Sequence, residues 1–204
     1  MERIYHYLAL GDSYTIGEAV RAEENFPNQV CNIATLDHIQ MEVRIIAKTG
    51  WTTDELTDGI AQSGAEKPLL PVYDFVTLLI GVNNQYRERS VTDYGEEFQD
   101  LLKIAINYSG NKNPHVVVLS IPDWGVTPFA EGRDRKRIAI EIDEYNNTAK
   151  TIALKNNCQY IDITAWTREA SKDISLLTDD GLHPSGKEYR RWAEITKNCF
   201  LSLI

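Results

Sequence analysis

Apolar positions along this chain follow two alternating rhythms. Runs nearly continuous in Val, Ile and Leu recur at Ile4 to Leu10, Val43 to Ala47, Phe75 to Ile80, Val116 to Ile121 and Gln159 to Ile163. Runs of this kind predict strands covered on both faces, as in a parallel sheet. Between them, apolar residues return every three or four positions, the period of a helix with one buried face. That spacing predicts helices over Glu24 to Ile39, Thr53 to Gln62, Val91 to Tyr108 and Arg137 to Lys155, and a last one that turns Tyr189, Trp192, Cys199 and Phe200 inward. Thr52-x-x-Glu55 and Ser185-x-x-Glu188 have capping-box spacing at the starts of the second and the last, and Gly110 ends the third. Strands alternating with helices make βα units. The expected fold is therefore α/β, a flavodoxin-like three-layer αβα sandwich around a central five-stranded parallel sheet, with residues 1–204 forming one domain.

In open parallel sheets ligands bind beyond the carboxyl ends of the strands, where the strand order reverses. Three turns of this chain fall at such ends. Ser13 follows the first strand in Gly11-Asp12-Ser13, Gly50 follows the second in Lys48-Thr49-Gly50-Trp51, and Asn83 follows the third in Gly81-Val82-Asn83-Asn84. Beyond the fifth strand, Asp180-Gly181-Leu182-His183 supplies a carboxylate and an imidazole three positions apart. Those are the two groups that a nucleophilic serine requires: a base to take its proton and an acid to orient that base. Taken singly, each residue also has a plainer reading: Ser13 as a helix cap, Gly50 as a turn, Asn83 as a loop amide, Asp180 as part of a solvated Asp-Asp-Gly turn. Asp12 reads as a structural residue that ties the turn.

Gly11-Asp12-Ser13, Gly50, Gly81-x-Asn83 and Asp180-x-x-His183, in that order over nearly the whole chain, resemble the four blocks of the SGNH hydrolases, the GDSL-type esterases and lipases. The resemblance implies a serine ester hydrolase with Ser13, His183 and Asp180 as catalytic triad. It further implies an oxyanion hole made by the backbone N–H groups of Ser13 and Gly50 and the side-chain amide of Asn83. One position departs from the pattern, since the third block usually continues with Asp where this chain has Asn84. The exchange is expected to alter what supports Asn83 without abolishing activity. Trp51, Asn84, Tyr86, Trp124 and Phe129 are the expected substrate-binding residues; the aromatics lie near the catalytic turns or in the long loop after the fourth strand and could form an apolar wall. No metal or other cofactor is expected. The expected substrates are small or single-chain acyl esters, as for a lysophospholipase or short-chain esterase, with a carbohydrate O-acetylesterase, a thioesterase or a non-catalytic binding domain as alternatives.

Composition narrows the setting. A chain of 204 residues, 43% hydrophobic, buries roughly 70% of its unfolded surface and sustains a core without disulfides or metal. A net charge of -9 argues against a nucleic-acid partner. Cys31, Cys158 and Cys199 are odd in number and far apart, which fits core thiols in a reducing compartment. No apolar stretch reaches the roughly 18 residues of a membrane span, and no signal-peptide pattern opens the chain, so a cytoplasmic location is expected. Oligomeric state is left open.

Overall fold

The computed structural model describes residues 3–204. Five parallel strands form its sheet: β1 (Ile4–Gly11), β2 (Gln40–Ala47), β3 (Phe75–Leu79), β4 (Val116–Leu119) and β5 (Gln159–Ile161), in the order β2-β1-β3-β4-β5. The helices are α1 (Ser13–Ile16), α2 (Phe26–Ala34), α3 (Thr53–Glu66), α4 (Val82–Tyr86), α5 (Val91–Tyr108), α6 (Arg135–Lys155), α7 (Thr164–Thr167) and α8 (Gly186–Leu201). Crossovers place α2 on one face, where α8 packs against it, and α3, α5 and α6 on the other. This is the expected flavodoxin-like sandwich. Strand order reverses between β1 and β3, so the crevice opens beyond their carboxyl ends.

α3 runs on to Glu66, β4 and β5 stop two residues short of their apolar runs, and two elements differ more from the periodicity. The helix expected over Glu24 to Ile39 is cut at both ends: Asn25 caps α2 by accepting from the Asn28 N–H at 2.9 Å, and the chain leaves through 3-10 turn Thr35–Asp37 into His38 at φ 59°. Pro27, which has no N–H to give, sits in the first turn, where helices tolerate it. β2 starts at Gln40, three residues before its apolar run, because it is an edge strand paired along its whole length with β1. An edge accepts Gln40 and Glu42 with their side chains in water.

The capping boxes part ways. At α3 the Glu55 carboxylate accepts the Thr52 N–H at 2.9 Å. At α8 Ser185 occupies the cap position but donates its hydroxyl to the Ser175 carbonyl at 2.7 Å, and Glu188 turns inward to accept from Trp192 Nε1 at 2.9 Å. The expected box is absent because a buried indole N–H needs an acceptor more than an exposed helix end does. Trp192, Tyr189 and Phe200 are fully buried, Phe200 stacking on Phe75 of β3 at 4.2 Å. Each contributes about 2 kcal/mol of burial. α8 is thus anchored to the sheet, and with it the end of the loop that carries His183.

Candidate active site

β1 ends in a turn that only glycine permits: a Cβ on Gly11 would lie 2.5 Å from the Leu79 carbonyl and 2.1 Å from the Thr15 hydroxyl. Asp12 then caps α1, its Oδ1 accepting the Tyr14 N–H at 3.0 Å, so the structural reading of Asp12 holds and Ser13 is not the cap. Ser13 begins the helix with 4% of its surface exposed. Asp12 is fully buried, and burial pushes its carboxyl up to about 7 against the pull of the Tyr14 and Asn83 hydrogen bonds.

Gly50 follows β2 at φ 84°. A Cβ at this position would meet only Arg87 Nη2, at 3.8 Å. The left-handed backbone is what requires glycine there. Arg87 holds the turn by donating to the Gly50 carbonyl at 2.7 Å. After β3, α4 carries Asn83, whose Nδ2 donates to the Trp51 carbonyl at 2.9 Å and lies 3.4 Å from Asp12 Oδ2. One side-chain amide thereby ties together the turns after β1, β2 and β3.

The fourth piece is the loop before α8. Asp180 Oδ1 accepts from the backbone N–H of Leu182 and His183, at 2.8 and 2.9 Å, and from the Thr178 hydroxyl at 2.8 Å. Its Oδ2 faces His183 Nδ1 at 2.6 Å. Partial burial works against the Asp180 anion, but the bonds from His183, Thr178 and Leu182 outweigh it and bring the carboxyl down to about 2. An ionised Asp180 accepts from an Nδ1–H, so Nε2 is the ring nitrogen that Asp180 does not engage. His183 is 6% exposed, and its ring tilts against Tyr14 at 5.2 Å.

These pieces line one cavity of about 150 Å³, bounded by Ser13, Tyr14, Thr49, Gly50, Val82, Asn83, Tyr86, Trp124, Phe129, Leu182 and His183. Ser13, Gly50, Asn83 and His183 therefore share one crevice, and Asp180 reaches it through the His183 ring. Tyr86, Trp124 and Phe129 make its aromatic wall, with ring centroids 5.3 to 6.1 Å apart.

Two expected substrate-binding residues do not line it. The Trp51 ring lies in the notch left by Gly59 of α3, where a Cβ would come within 2.0 Å of it. Asn84 is fully buried on a different side of α4 from Asn83, its Oδ1 accepting the Thr53 N–H at 3.1 Å and its Nδ2 donating to Thr53 Oγ1 at 2.6 Å. Successive helical residues diverge by about 100°, so Asn83 and Asn84 cannot both face the crevice. Glu97 explains why an amide suits position 84: its carboxylate lies 3.4 Å from Asn84 Nδ2, where a second carboxylate would be repelled.

Among the described residues, no group of three or more His, Cys, Asp or Glu side chains could hold a metal ion, and no helix is long and apolar enough to cross a membrane. The three cysteines are free, Cys158 buried and the others half-buried.

The profile of the GDSL-like Lipase/Acylhydrolase family matches residues 9–191. No curated protein sequence matches the chain. Among solved structures, the fold is similar to a lipolytic protein of the G-D-S-L family from Veillonella parvula, at TM-score 0.73 and 18% identity over 98% of this chain and 99% of that one. It is also similar to the psychrotrophic esterase EstA from a Pseudoalteromonas species, at TM-score 0.71 and 13% identity over 98% of both chains. An acetylxylan esterase from Geobacillus stearothermophilus follows at TM-score 0.69 and 18% identity, over 96% of this chain and 94% of that one.

Proposed function

The chain belongs to the GDSL-like lipase/acylhydrolase family and so to the carboxylic ester hydrolases, and on that premise we propose that it cleaves small or single-chain acyl esters through Ser13, His183 and Asp180. The observation that carries the reading is the shared cavity. Ser13 and His183, 170 positions apart in the numbering, line the same 150 Å³ space, and His183 is held by Asp180 at 2.6 Å.

In this reading the Ser13 hydroxyl attacks the ester carbonyl while Nε2 of His183 takes its proton. Asp180 keeps the ring in the required tautomer and stabilises the imidazolium. The carbonyl oxygen, now negative, is met by the backbone N–H groups of Ser13 and Gly50 and by Asn83. One N–H of Asn83 is committed to the Trp51 carbonyl at 2.9 Å; the other faces Asp12 at 3.4 Å, a long contact that an oxyanion displaces readily. His183 then returns its proton to the leaving alcohol, and the same base activates the water that frees the acid from Ser13.

Fluorophosphonate labelling tests the reading, with peptide mapping and assays on aryl esters, lysophospholipid and acetylated sugar. Label on Ser13 and hydrolysis that both vanish in Ser13→Ala are expected. A wild-type protein that takes no label and cleaves none of the esters overturns it.

A further inference from the structure

Trp124 separates three spaces. Its ring bounds the catalytic cavity, a hollow of about 10 Å³ behind it lined with Tyr14, Leu176 and Leu182, and an outer depression with Arg133 and Glu141 on its rim. Where this indole stands decides how far an acyl group runs from Ser13. The ring is 4% exposed, and its Nε1 donates to Gln85 Oε1 at 2.7 Å.

Gln85 is itself 4% exposed and lies outside the catalytic cavity, two residues beyond Asn83 on α4. Its Nε2 donates to Glu141 Oε2 at 2.7 Å, and Glu141 Oε1 accepts from Arg137 Nε at 2.6 Å, both on α6. The direction of the chain is unambiguous. An indole N–H only donates and a carboxylate only accepts, so the Gln85 carbonyl must face Trp124 and its amide must face Glu141. No other side chain of Gln85's length offers an acceptor on one side and a donor on the other.

We infer that Gln85 is a specificity-determining positioning residue: by fixing Trp124 between α4 and α6 it limits the acyl group to a short chain. This inference rests on the ester-hydrolase reading above and narrows its substrate class. A cavity of about 150 Å³ with mainly apolar walls has room beside Ser13 for a group the size of benzene, roughly six carbons, so the expected substrates are acetyl to hexanoyl esters. A chain that extends past Trp124 must displace the indole, which breaks a buried hydrogen bond and leaves Trp124 Nε1 and Gln85 Oε1 unpaired.

The test compares kcat and KM on 4-nitrophenyl acetate, butyrate, octanoate and decanoate for wild type and two variants. Wild type is expected to favour butyrate over octanoate at least tenfold in kcat/KM. Gln85→Met, of similar length but with neither polar end, is expected to reduce that preference about tenfold, chiefly by lowering KM for octanoate and decanoate. The double exchange Gln85→Glu with Glu141→Gln rebuilds the chain, since a carboxylate at position 85 accepts from both Trp124 and the new amide; it is expected to restore the preference. A purely packing role for Gln85 would change melting temperature without moving the butyrate-to-octanoate ratio. Should Gln85→Met not fold, Trp124→Phe removes the same hydrogen bond from the other side and is expected to shift the ratio likewise. A wild type that prefers octanoate, or an unmoved ratio in a folded variant of an active enzyme, overturns this inference alone. Failure of wild type to cleave any of the esters overturns the hydrolase reading and this inference with it.

Discussion

Ser13 and His183 meet at one cavity but are held there by different means. Ser13 stands at the end of β1, which is flanked by β2 and β3, and its turn is fixed by contacts distant in sequence: Gly11 against Leu79, Asp12 and Trp51 against Asn83. His183 stands on a loop that mostly holds itself. Asp180 takes three hydrogen bonds from within three residues, Leu177 bridges Pro184, and the Thr178 N–H closes on the His183 carbonyl at 2.8 Å. Only a few ties reach further, such as the Phe129 N–H on the Gly181 carbonyl at 3.1 Å. Ser13 is therefore placed by the core, and His183 by local hydrogen bonding. Substitutions in the loop should remove chemistry with little loss of fold, whereas substitutions around Ser13 should cost both.

Asp180→Asn is the sharpest way to break that contrast and carries the largest expected effect. An asparagine Oδ1 can still accept from Leu182, His183 and Thr178, so the loop keeps its shape. Its Nδ2 now faces Nδ1 of His183 and demands the tautomer with the proton on Nε2, where the base must be free. We expect kcat to fall by about four orders of magnitude with melting temperature lower by only a few degrees, the cost of a charge that the fold stabilises, and Asp179→Asn to change neither. Loss of less than tenfold would detach Asp180 from the chemistry.

Asn83→Ala probes the core-held side. Removing one oxyanion donor typically lowers kcat about 100- to 1000-fold, with KM little changed. Here the same amide joins the turns after β1, β2 and β3, so a stability loss of about 1 kcal/mol is expected alongside, from the lost bond to the Trp51 carbonyl. Chemical denaturation measures it. An intact rate with a lower melting point would make Asn83 a brace only.

The same contrast governs what could be read in the sequence. The Asp180–His183 pair was legible because both partners lie within one turn and the spacing itself brings the carboxylate to the ring. α5 was legible because Tyr94, Phe98, Leu101, Leu102 and Ala105 face one way at helical spacing, and all five are buried. The Ser13 turn showed as a strand running into Gly-Asp-Ser. Trp51 was misplaced because the notch at Gly59 that receives its ring belongs to another element. Asn84 was misplaced because adjacent helical positions face apart, and α4 is too short to show a period. Gln85 escaped notice altogether: its partners Trp124 and Glu141 are 39 and 56 positions away, and no local pattern announces such a chain.

The smallest expected effect lies with Asp12, and it tests how strictly the core controls the Ser13 turn. A carboxyl lifted from an unfolded value near 3.8 to about 7 by burial keeps its proton in the folded protein where the unfolded chain has already released it. Between those values the folded state binds more protons than the unfolded state, so this group's contribution to stability falls as pH rises from about 4 to 7. It is fully present below pH 4 and levels off above 7. Asp12→Asn keeps an oxygen for the Tyr14 N–H and the cap of α1 but has no proton to lose. Its melting temperature relative to wild type should therefore climb with pH across that window, by several degrees, since each kcal/mol is worth about 2–4 °C in a chain of this size. Subtracting one curve from the other cancels titrations common to both proteins, Asp180 included. A difference that stays flat from pH 4 to 7 would mean that Asp12 is already ionised at pH 4 in the folded protein, held so by Asn83 and the Tyr14 N–H. The turn that presents Ser13 would then owe its form to those two hydrogen bonds, as the His183 loop does to its own, and the distinction between a core-held and a self-held arm would fall.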